Sequence, residues 1–170
     1  MRVRARLVAL VLVSLLVGCA AQTAPGPPVS RTTAPPWPAP RDGLAQIQAA
    51  GLESSRLDDT TNQRRFMMTM TIDGTPVSLV PYIGMDRPRA LQGPAHTHDD
   101  SGTVWLEGRG ADTVTLGQFF ILWGVRFDAD CLGAACGGIT VVKDGTRVKD
   151  PGALRLAGVS ERLQIEARSG

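Results

Sequence analysis

Seven of the chain's twelve prolines fall between residues 25 and 40: Pro25, Pro27, Pro28, Pro35, Pro36, Pro38 and Pro40. Each one removes a backbone donor and fixes φ, so no helix or inner sheet strand can run through this stretch. Small residues fill the gaps, and the composition predicts an extended tether over residues 19–42. Folding is thereby confined to residues 43–170, a span of 128 residues, enough for one ordinary domain.

Upstream of the prolines, Arg2, Arg4 and Arg6 precede the apolar run LVALVLVSLLVG over residues 7–18. Twelve helical residues rise about 18 Å against a hydrocarbon core of ~30 Å, too short for a comfortable span. A basic start, a short apolar run and small residues make a secretory signal over 1–18. Leu16-Val17-Gly18-Cys19 resembles the bacterial lipobox. The resemblance implies lipidation of Cys19, cleavage on its N-terminal side, and a domain anchored on the extracytoplasmic side of the cell membrane. Several acyl chains on one residue suffice for stable anchoring.

Cleavage removes three of the 18 basic residues and none of the 16 acids, leaving 15 against 16. No basic excess remains to hold nucleic acid. GxSxG, P-loop and dinucleotide motifs are absent, so the sequence points to a non-enzymatic protein.

Local patterns within 43–170 predict a small α+β domain with a mainly antiparallel sheet and one central helix. A short helix is expected within 42–59. Two β-prone runs flank Asp73-Gly74, and a second pair flanks Asp144-Gly145; both dipeptides suit tight hairpin turns. Alternation puts Met68 and Met70 on one face and Met67 on the other, which reads as core filling. Thr115-Leu116-Gly117-Gln118 fits a capping box ahead of FFILWG, residues 119–124. Leu163, Ile165 and Ala167 alternate in an end strand. The order hairpin, helix, strands resembles the β-grasp plan.

His96 and His98 are the chain's only histidines. Pairing 94–98 with 103–107 across a four-residue turn sets His96 opposite Trp105 and His98 opposite Thr103. Glu107 then shares their face. Two imidazoles and a carboxylate could ligate a divalent metal such as Zn²⁺ or Cu²⁺. The other reading is a core histidine, His96 packed on Trp105. The spacing is not that of a cupin, which wants its Glu three or four residues after the second His.

The run His96-Thr97-His98-Asp99, Ser101-Gly102, Glu107, then Thr115-Leu116-Gly117-Gln118-Phe119-Phe120 and Trp123-Gly124 resembles a family of secreted or membrane-tethered bacterial and archaeal proteins. That family's pattern is approximately HTHD-x-SG, a strand with a further His and a Glu, then TLGQFF and WG. The resemblance spans about residues 94–150 and brings no activity with it. Trp105 stands where the family's further His falls, and Ile121 where an acid is frequent.

Cys131 and Cys136 remain after Cys19, and outside the cytoplasm they are expected to pair. The leading expectation is a lipid-anchored envelope module that binds a partner of unknown chemistry. The alternative is a divalent-metal-binding accessory lipoprotein using His96, His98 and Glu107; a purely structural envelope protein is the third. For the anchor, Cys19→Ala should block lipidation and leave a slower-migrating, uncleaved precursor. Normal processing of that variant in a membrane fraction would remove the lipobox reading.

Overall fold

The computed structural model describes residues 24–170; the signal stretch and Cys19 lie outside them. Among the described residues, no helix is long and apolar enough to cross a membrane. In chain order the elements are α1 (Gly43–Ala49), β1 (Ser55–Arg56), β2 (Arg64–Ile72), β3 (Thr75–Val77), β4 (Met85–Asp86), β5 (Leu91–Gln92), β6 (Ala95–His96), β7 (Thr103–Leu106), α2 (Leu116–Trp123), β8 (Ile139–Lys143), β9 (Thr146–Arg147) and β10 (Arg162–Ala167). The domain is α+β, as its element pattern predicts.

The main sheet runs β6-β7-β2-β10-β8-β9, with β3 also on β2. All its pairs are antiparallel except β2 with β10, which run parallel from Arg162↔Met67 to Ala167↔Ile72. A small second sheet, β1-β5-β4, joins residues 55–56, 91–92 and 85–86.

The period-2 pattern decides which face is buried. Phe66, Met68 and Met70 of β2 point inward, while Met67 is exposed, as alternation requires. Leu163, Ile165 and Ala167 of β10 join them. Thr115 caps α2 by accepting from the Gln118 N–H, and the Gln118 side chain accepts from the Thr115 N–H. Left-handed Gly124 ends the helix. Its apolar residues Leu116, Phe119, Phe120, Leu122 and Trp123 complete the core.

Both Asp-Gly dipeptides form the expected turns, and each Asp does a second job. Asp144 accepts from the Arg162, Ser160 and Glu161 N–H groups, where β10 begins. Asp73 accepts from the Ser169 N–H, just beyond its end. The two turns therefore hold the final strand at both ends.

The proline-rich stretch differs from its expectation. The composition predicts a tether over residues 19–42, but from Gly26 onward the chain is docked on the domain. The Gly26 N–H donates to Asp42. Arg31 makes a parallel bridge to Val125, donating to the Gly124 carbonyl and accepting from the Arg126 N–H. Trp37 is 1% exposed and meets Trp123 edge-on, with centroids 5.6 Å apart. Its carbonyl accepts from the Trp123 indole N–H. A Cβ on Gly133 would lie 2.4 Å from the Trp37 ring, so this crossing requires glycine. Proline density excludes regular structure here but not packing. One buried indole supplies the apolar area that the rest of the stretch lacks. The folded unit therefore begins well before residue 43.

Cys131 and Cys136 are joined in a disulfide, closing the loop that carries Gly133. The three N–H donors hold the Asp144 carboxyl at about 2, below its ordinary 3.8. A value lowered by folding adds stability in full above about pH 4, and that contribution fades as pH falls toward about 2. Asp144→Ala should melt earlier than wild type at neutral pH, with the gap narrowing through that acid window. A gap independent of pH would show that the carboxylate charge contributes nothing.

Candidate metal centre

The ladder between β6 and β7 has the expected register, with Ala95 opposite Leu106 and His96 opposite Trp105. Ala95 and Leu106 face the core, so His96 and Trp105 take the other face. His96 is nonetheless completely buried, because other segments cover that face. The stretch before β4 lies against it: the Tyr82 N–H donates to the Thr97 carbonyl, and the Thr97 N–H to Ile83. Gly84 permits the contact. Its φ is +72°, and a Cβ there would lie 2.3 Å from the Ala95 carbonyl oxygen.

The expected ladder stops at His96, since Thr97 bonds to 80–83 instead. The Thr97 hydroxyl donates to the Val80 carbonyl at 2.6 Å and accepts from the Ile83 N–H at 3.1 Å. His98 therefore leaves the strand and is not paired with Thr103. It still reaches the cluster: its ring lies 5.1 Å from that of His96 and 5.4 Å from that of Trp105, edge-on to both. The Trp105 contact expected of His96 belongs to His98.

His96, His98 and Glu107 present ligand atoms all within 4.8 Å of one another. The tautomer of His96 follows from its neighbours. Nδ1 lies 3.2 Å from the Gly93 carbonyl oxygen, which can only accept, so Nδ1 carries the proton. In the neutral ring, Nε2 is then a bare lone pair. It stands 3.2 Å from Glu107 Oε2 and has no hydrogen-bond partner among the described residues. Burial holds the His96 imidazole below its ordinary value, working against the Gly93 carbonyl and the Glu107 charge. A lone pair facing a carboxylate oxygen inside protein is repulsive until a proton or a metal cation lies between the two.

Glu107 is positioned by amides. Gln63 donates to Oε1, and Gln92 Nε2 lies 3.4 Å from Oε2. Gln92 Nε2 also donates to the Asp59 carbonyl at 2.9 Å, which fixes the orientation of the amide. Gln92 Oε1 and His96 Nε2 are the two buried side-chain polar atoms without a partner among the described residues. Both belong to residues touching Glu107.

Beside Trp105 opens a cleft of about 460 Å³ lined by Arg65, Met67, Asp99, Thr103, Trp105 and Glu161. The Arg65 guanidinium lies 5.1 Å from the Trp105 ring centre. A larger cleft of about 560 Å³, lined by Asp128, Ile139, Arg147 and Lys149, shares no residue with the His cluster.

Sequence reasoning found the three candidate ligands and missed Thr97, Gln63 and Gln92. For Thr97 a signal was present: it alternates with the histidines and so belongs on the opposite side. Gln63 and Gln92 gave none, since chain distance hides their approach to Glu107. No family model, no curated protein and no solved structure matches this chain.

The two histidines should respond differently to removal. His96→Ala leaves a cavity and an unpaired Gly93 carbonyl, but it also removes the orphaned lone pair. A net loss of about 1–2 kcal/mol is expected. Exposed His98→Ala should stay within about 0.5 kcal/mol. Denaturant melts in chelator-treated buffer measure both, and equal losses would contradict the burial difference.

Proposed function

We propose that this is a lipid-anchored, extracytoplasmic domain that binds a divalent transition-metal ion through His96, His98 and Glu107. The observation that carries the reading is the buried His96 Nε2, without a hydrogen-bond partner among the described residues and 3.2 Å from the Glu107 carboxylate. A bound cation would replace repulsion with two favourable bonds. The Nδ1–H to Gly93 bond is the outer contact that commonly orients a ligating histidine.

Two nitrogens and one oxygen favour Zn²⁺ or Cu²⁺ over Ca²⁺ or Mg²⁺, which take oxygen ligands. Three protein ligands leave a position free, and the exposed side of His98 gives access from solvent. This supports reversible loading more than a closed structural site. The sequence alone favours a partner-binding module; the orphaned nitrogen moves the balance to its metal-binding alternative. Lipidation at Cys19 rests on the lipobox.

Titration of the full-length protein in detergent with Zn²⁺, against a chromophoric chelator, should show one equivalent bound. His98→Ala and Glu107→Gln should each abolish or strongly weaken it. Gln92→Met should weaken it about 10–100-fold through loss of outer-shell support. No binding by the wild type would sink the metal reading and return the partner-binding module to first place.

A further inference from the structure

The apolar side chains of Val29 and Ile121 are 42% and 40% exposed, and one amide joins their backbones. Gln46 accepts from the Val29 N–H at 2.6 Å and donates to the Val29 and Ile121 carbonyls. Both exposed side chains therefore rise from neighbouring backbone positions, beside the C-terminal half of α2. Arg31 fixes the same corner by donating through Nη1 to the Trp123 and Gly124 carbonyls at the helix end.

This face lies where the docked chain begins. Gly26 is tied to Asp42, three residues before Val29. Only residues 20–25 separate it from Cys19. At ~3.3–3.6 Å per residue, that leash spans at most about 25 Å. A domain of this size has a radius of gyration of about 15 Å, so it is wider than the leash is long.

We infer that the Val29–Ile121 face is a membrane-contact surface, held against the lipid bilayer by the short leash from Cys19. The inference rests on the lipidation part of the proposed function and is independent of metal binding. The anchor holds the face at high local concentration next to lipid, so weak apolar contacts become populated without affinity in the free domain. Had the whole of 19–42 been free, the domain would have turned independently of the surface. The docked strap removes that freedom.

The test uses the full lipidated chain in phosphatidylethanolamine–phosphatidylglycerol vesicles, with an environment-sensitive dye on one introduced cysteine. Ile121→Cys reports the proposed face. Met67→Cys is the control, because it lies on the far side of the sheet from α2 and is similarly exposed. The Cys131–Cys136 disulfide and a lipidated Cys19 leave no other thiol to label. The dye at 121 should emit at shorter wavelength on vesicles and be quenched severalfold more by nitroxide-labelled lipid than the dye at 67. Equal, weak quenching at both positions, in protein that floats with the vesicles, overturns the inference while leaving the anchor intact. Protein that does not float removes the anchor reading and this proposal with it.

Discussion

Hydrogen bonding of β10 to both β2 and β8 puts the last strand of the chain at the centre of the seven-stranded sheet. Six residues pair with β2 and five with β8, and Leu163, Ile165 and Ala167 fill the core between them. Until that strand arrives, the β2–β3 and β8–β9 hairpins are separate pieces with an unpaired edge each. Isolated hairpins are marginal in water. The carboxylates of Asp73 and Asp144 hold the two ends of the strand, so the residues that make the turns also complete the sheet.

With Ala95 and Leu106 committed to the core, His96 must face the opposite side of β6, where it is nonetheless fully buried. Burying an imidazole is favourable only when its polar atoms are satisfied. One nitrogen of His96 is satisfied and one is not. The same region contains Glu107, held by Gln63, just before β2, and by Gln92 of β5.

The strap over the C-terminal end of α2 links these regions to the N-terminus. Trp37 against Trp123, and Arg31 at the helix end, turn a proline-rich stretch into part of the domain. The span between the docked chain and Cys19 is correspondingly short.

Features set by residues a few positions apart were legible in the chain itself. The two Asp-Gly turns, the Thr115–Gln118 capping box, the faces of Met67, Met68 and Met70, and the His96–Trp105 register all follow from local geometry. Tertiary structure decided whatever depends on what covers a residue. Gln63 and Gln92 reach Glu107 across 44 and 15 positions, and Trp123 reaches Trp37 across 86. The burial of His96, its fixed tautomer and the docking of Trp37 all depend on such meetings. A sequence displays the period of each segment, which sets the face a side chain takes. Which segment will close over that face depends on the packing of the whole chain.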